Sequence, residues 1–180
     1  MSWQDSVNYH RDAIDRLVGA LESQWDPAVS SLEYALRELH KILFCGMGGG
    51  SALASHLASE LVVRYQMDRK AYHAISLSDS ATLTAALGES HQRVFARQVE
   101  AFGEPGDVLV VLTGVHLHPM LREAILAAKF LGLRTIGIGG VQSGCDVDIV
   151  IHSTNGARVR ELSLLTGHLI IEGLEERLPK

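Results

Sequence analysis

Gly46, Gly48, Gly49 and Gly50 stand where a short apolar run, Lys41 to Cys45, gives way to a helical stretch from Ala52 to about Tyr65. A strand that hands over to a helix through glycines leaves backbone amides at the helix start, where the local field favours an anion. Glycine also permits positive φ and close approach of a ligand to the backbone. Phosphate is the natural guest of Gly48, Gly49, Gly50 and Ser51, and a tight turn without a ligand is the plainer alternative. Two nucleotide readings fail. Ser51 takes the place of the third glycine in a dinucleotide fingerprint, and no acidic residue ends the second strand about 20 residues on, Asp79 coming too late. No Gly-Lys-Ser/Thr follows to make a P-loop.

His56 and Glu60 are four apart in that helical stretch, so they share one face. A lone glutamate on a helix is ordinarily solvated, and a histidine there can simply cap a packing face. His116 and His118 fall in the loop after a third apolar run, able to take metal or phosphate, or simply to be solvated. His10, His40, His73, His91 and His152 read as structural or surface residues.

Those side chains need a scaffold, and the rest of the chain describes one. Val7, Ile14, Leu17, Val18 and Leu21 recur at helical spacing over 3–23, and Asp26 as cap with Pro27 at the first helical position predicts a second helix over 27–40. Five short buried strands follow: 41–45, 73–77, 107–113, 134–138 and 147–151. Helices from Asp79, over 92–102, 119–131 and 157–175 alternate with them. Parallel neighbours need crossovers, and right-handed crossovers place helices on both faces, so the expected fold is a three-layer α/β/α, doubly wound, five-stranded parallel sheet. Ligands in such sheets bind beyond the carboxyl ends of the strands, which makes the loops after Cys45, Leu77, Thr113 and Ile138 the candidate walls.

Composition narrows the class further. The 180 residues are 47% apolar but only 6% aromatic, in keeping with a sheet covered on both faces rather than a β-sandwich. One core over 1–180 is expected. Sixteen basic against 21 acidic residues leave −5 with no basic block, which removes nucleic acid as a direct partner. Cys45 and Cys145 are too few for a disulfide framework or zinc cluster and read as reduced thiols of a cytoplasmic protein. The first residues are polar and amphipathic, unlike a signal peptide, and no run reaches the roughly 18 apolar residues of a membrane span.

The stretch from Phe44 through Gly46, Ser51, His56, Glu60 and Arg64 to Tyr65 resembles the opening motif of bacterial phosphoheptose isomerases, which are sugar isomerase (SIS) domain proteins. Ala157 through Arg160 and Glu161 to His168 is similar to their later motif, with Leu77 to Asp79 and Gly103 to Asp107 as landmarks between. The resemblance covers nearly the whole chain. It implies a homotetramer that buries residues 1–40 between subunits, with 41–180 as the α/β core. It also implies aldose–ketose isomerisation of sedoheptulose 7-phosphate and D-glycero-D-manno-heptose 7-phosphate through an enediol. In that reading Glu60 is the base and His168 the acid, Arg64, Asp79, Thr113, Gly114, His118 and Arg160 meet the phosphorylated sugar, and no cofactor is required. Many relatives hold zinc through the counterparts of His56, Glu60 and His168 plus a glutamine.

Departures from the family fall on the ligand contacts. Met47 and Gly50 replace an asparagine and a serine, and Thr113 to His118 replaces a Ser-Thr-Ser-Gly-Asn-Ser cradle, keeping one hydroxyl. Arg160 stands for the glutamine and cannot coordinate a cation, which leaves His56, Glu60 and His168 as the candidate three-ligand zinc site with an open position that the resemblance implies. The segment from Gly88 to Val94 is shorter than its counterpart, which carries an acidic residue; Glu89 is the candidate substitute. Retained Glu60 and His168 favour the isomerase, whereas the lost hydroxyls favour an alternative, a non-catalytic SIS protein that binds a sugar derivative or serves as a scaffold.

Overall fold

The computed structural model describes residues 2–178, with the side chains of 87–90 outside that description, so the reading of Glu89 lies beyond the described residues. Helix α1 (Trp3–Arg37) opens with a reciprocal cap: Ser2 Oγ accepts from the Asp5 amide at 3.1 Å, and the Asp5 carboxylate accepts from the Ser2 amide at 2.8 Å. It runs through Pro27 without a break, where the sequence predicts two helices. Proline removes the amide that would bond the Ser23 carbonyl, and both residues are exposed, so the freed carbonyl meets water. Packing on either side holds the turn. Leu17, Ala28 and Val29 are 0–1% exposed, and the Trp25 indole N–H donates to the Leu169 carbonyl at 3.0 Å.

The sheet is all parallel in the order β2-β1-β3-β4-β5, formed by β1 (Ile42–Gly46), β2 (Ala74–Ser76), β3 (Val108–Gly114), β4 (Arg134–Gly139) and β5 (Val147–Val150). Strand alternation splits its side chains between two cores. Ile42, Phe44, Val108, Val110, Ile136, Ile138, Val147 and Ile149 face one way, where α1, α2 (Gly49–Val62) and α6 (Gly156–Arg177) cover them. Leu43, Cys45, Leu109 and Val111 face the other, under α4 (Val94–Phe102) and α5 (Pro119–Phe130), with α3 (Ser80–Ser90) alongside. The expected three-layer architecture is therefore present. Helix α1 belongs to it as well: Ala13, Leu17, Val29, Leu32 and Ala35 are buried against the chain's own sheet and α6, so the leading segment is not an outlying element.

The chain leaves β1 toward one edge, forms β2, and returns to lay β3 on the other side of β1. This reversal makes the carboxyl ends of β1 and β3 the switch point of the sheet.

Candidate active site

At that switch point a cavity of about 240 Å³ is lined by Met47, Gly50, Thr113, His118, Arg160 and Ser163 among others. The glycine loop and the loop after β3 thus lie side by side, as the strand order requires. Gly48, the residue before α2, takes φ 55°, a conformation that L side chains rarely adopt, and no side chain caps the helix there. The first turn of α2, the start of α5 and the first two turns of α6 all border the cavity, so helix amino ends, not acidic groups, set its electrostatics. Arg160 adds a full charge. Its stem lies across Gly49, where an added Cβ would stand 2.5 Å from Arg160 Cδ. Among the described residues its guanidinium has no hydrogen-bond or ion-pair partner.

Residues expected to meet the ligand separate into those this cavity gathers and those it does not. Gly50, Thr113, Gly114, His118 and Arg160 line it. Gly48 and Gly49 belong to the loop at its edge, and the Ser51 carbonyl accepts from Ser78 Oγ at 3.3 Å. His118 also plays a structural part, because it caps α5, its Nδ1 accepting from the Met120 amide at 3.3 Å. Asp79 caps α3 through Thr82 at 2.8 Å from an exposed position. Arg64 is exposed beyond the end of α2, and neither it nor Asp79 lines the cavity.

Helices α2 and α6 both start at this end of the sheet and run side by side away from it. Six residues beyond Gly50 and eight beyond Arg160, roughly 9–12 Å along the axes, they bring His56 and His168 together, Nε2 to Nε2 at 3.0 Å. Glu60 Oε1 is 3.5 Å from His56 Nε2, one turn along the same face. Tyr65 stacks on the His168 ring, with centroids 5.2 Å apart and planes 29° from parallel. Burial, and then the neighbouring His56, hold the His168 imidazole below its ordinary value against the pull of Glu60. At neutral pH His168 is therefore mostly uncharged. Two residues here carry no expectation from the sequence, Ser163 and the stacking Tyr65. Ser163 lies three after Arg160 on one helix face, a spacing that could have found it, whereas the Tyr65 contact spans 103 residues and leaves no local signal.

The described side chains give zinc no direct support. Among the described residues no group of three or more His, Cys, Asp or Glu side chains is disposed to hold a metal ion. His56 and His168 face each other through Nε2, where the tautomer decides which ring donates. His56, Glu60 and His168, the three residues read as ligands, nonetheless lie together. Cysteine chemistry has no support either: burial raises the Cys45 thiol far above its ordinary range and pushes Cys145 up to about 11. A wider concavity of about 790 Å³ lies at the opposite, amino ends of β3 and β4. Its Lys129 ammonium is engaged by the Gly144 carbonyl at 2.7 Å.

Comparison with known proteins agrees with this geometry. The SIS domain family matches residues 7–140. Phosphoheptose isomerase from Paramagnetospirillum magneticum is 39% identical over 142 residues, covering 75% of this chain and 74% of the relative. That from Helicobacter pylori strain Shi470 is 33% identical over 173 residues, covering 92% and 90%. Among solved structures, phosphoheptose isomerase from Neisseria gonorrhoeae superposes with a TM-score of 0.87 at 26% identity, covering 97% of this chain and 100% of that one. Strand order, the glycine turn at the switch point and these matches together place the chain in the SIS-domain family, among the phosphoheptose isomerases.

Proposed function

We propose that Glu60 and His168 carry out the aldose–ketose isomerisation of a phosphosugar, with sedoheptulose 7-phosphate and D-glycero-D-manno-heptose 7-phosphate as the substrate pair. The observation that carries this reading is the placement of Glu60 beside a hydrogen-bonded pair of imidazoles, on the two helices whose amino ends border an anion-favouring cavity. Phosphosugar isomerisation is the activity of the relatives, which bear the name phosphoheptose isomerase.

The chemistry follows from the groups present. The Glu60 carboxylate removes the proton from the carbon beside the carbonyl, the C–H electrons form the enediol double bond, and the carbonyl oxygen takes up a proton. His168, largely neutral, can donate N–H to one oxygen and accept from the other, which moves the hydroxyl proton between them. Collapse of the enediol returns the carbon proton to the neighbouring carbon. No charge need accumulate on the imidazole beyond the transfer itself. The phosphate sits with Arg160, Thr113 and the amino end of α2, in place of a hydroxyl-rich cradle.

Residues left open on the outer surface favour a homotetramer, acting in the cytoplasm. Trp3 is 73% exposed and Tyr34 65% exposed on α1, and Val63 is 69% exposed just past the end of α2, on the side of the Glu60 cluster. No helix among the described residues is long and apolar enough to cross a membrane. Light scattering at micromolar concentration should give four chains, and a monomer would remove the assembly from this reading. Solvent-deuterium incorporation at the carbon beside the carbonyl, followed by NMR with sedoheptulose 7-phosphate, tests the chemistry. Absence of both exchange and turnover with that sugar would refute the heptose assignment.

A further inference from the structure

Beyond the carboxyl end of α2, Arg69 Nε lies 2.7 Å from Glu175 Oε1 of α6, and both side chains are 2% exposed. An ion pair this deep is a poor source of stability by itself, since well-packed apolar side chains often do as well. Its hydrogen bonds run in specific directions, however. Glu175 Oε1 accepts from the Tyr65 amide at 3.2 Å, and Oε2 accepts from the amides of Gln66 and Met67, each at 3.0 Å. Arg69 donates through Nη2 to the Glu60 carbonyl at 2.8 Å and through Nη1 to the Leu61 carbonyl at 3.0 Å. Its guanidinium also rests 3.9 Å above the Tyr72 ring. An apolar pair could hold α6 against this loop, but it could not fix three amides and two carbonyls.

Each of those backbone groups belongs to the site or adjoins it. Glu60 is the carboxylate beside the imidazole pair, and Tyr65 is the ring stacked on His168. Glu175 lies on α6, two turns beyond His168 and on the helix that carries it. We infer that Arg69 and Glu175 are positioning residues of the isomerase site: Arg69 fixes the last turn of α2 that bears Glu60, and Glu175 fixes the turn that holds Tyr65 against His168. Base and imidazole thus take their relative placement from one buried pair bridging their two helices. This rests on the reading of Glu60 and His168 given above.

The test uses Arg69→Lys, which keeps the charge and loses the fork, and Tyr65→Leu, which removes the ring while leaving the ion pair. Both are made in the full chain and measured well below each variant's melting midpoint, so that early melting cannot obscure the result. The readouts are kcat and KM with sedoheptulose 7-phosphate, and the His168 Cε1–H resonance, assigned by its loss in His168→Asn. Arg69→Lys is expected to lower kcat roughly 10- to 100-fold, the usual consequence of a displacement of about 1 Å. KM should stay within about twofold, because the anion cavity lies at the amino ends of α2 and α6, away from the pair. The His168 resonance should move in the same direction in both variants as the aromatic ring leaves the imidazole. An Arg69→Lys protein with parental kcat overturns the inference, as does one whose His168 resonance is unmoved or whose KM rises as much as kcat falls. Should the parent turn over no phosphosugar, the isomerase reading fails separately and the resonance alone decides the positioning.

Discussion

The seam where α2 packs on α6 holds two glutamates in opposite circumstances. Glu175, at its lower end, is 2% exposed and accepts from three amides and a guanidinium. Glu60, in its middle, is 21% exposed, and among the described residues its carboxylate accepts no hydrogen bond, with the His56 ring nitrogen at 3.5 Å and His168 nearby. A carboxylate with every lone pair engaged in directed bonds organises backbone and has nothing left to offer a ligand. One that faces a groove with its acceptor capacity largely free can take a proton from what enters. The same residue type therefore divides into anchor and base by the number of donors around it.

Substitution at each glutamate should separate rate from stability. Glu60→Gln keeps shape and most hydrogen bonding but cannot accept the carbon-bound proton, so kcat is expected to fall roughly 10²- to 10⁴-fold with the melting temperature unchanged. Turnover assays beside a thermal melt check this, and a fall in stability as large as that in rate would erase the contrast. Glu175→Gln should instead leave Arg69 without its buried counter-charge and cost about 3–5 kcal/mol of folding free energy, read from denaturant unfolding.

Acid sharpens the same comparison. Burial tends to raise the Glu175 carboxyl, but the amides of Gln66, Met67 and Tyr65 and the side chain of Arg69 outweigh it and hold the group below its ordinary 4.5. A carboxyl lowered in the folded state contributes stability above the unfolded value and loses it as pH falls through the folded one. The parent should therefore weaken progressively below about pH 4.5, and Glu175→Gln should lose that part of the dependence. In the cavity at the switch point, Arg160→Met preserves the stem over Gly49 and removes the charge. KM for the phosphosugar should rise roughly tenfold with kcat little changed, the size of one charge-assisted contact. An unchanged KM would show that helix amino ends alone hold the phosphate.

The sheet was legible because its signal is local. Val108 to Leu112 is an unbroken apolar run, as a strand buried on both faces must be, and the glycines after Cys45 mark the turn that follows β1. Pro27 misled for the complementary reason: its local rule ends a helix, but Trp25, Ala28 and Val29 pack into a core assembled from distant strands. His56 and Glu60 were legible as a pair through their spacing, and their link to His168 only through family resemblance. His118 looked like a ligand in a loop because a histidine cap gives no sign distinct from a histidine site. Glu175 reads in sequence as one more charge near the end of an acidic helix. Its partners lie more than a hundred residues away, and only the fold brings them together.

The close fit of Arg160 over Gly49 bears on how this loop can change over time. Gly48 is constrained by its own backbone angle, so no substitution elsewhere relieves it. Gly49 is constrained only by the arginine stem above it, a side chain that a different residue at 160 would withdraw. Positions 49 and 160 therefore form one heritable unit. Alanine at 49 requires the arginine stem to swing aside, and meets no such obstacle with a shorter side chain at 160. A drift in either position registers in the other, although 111 residues separate them in the chain.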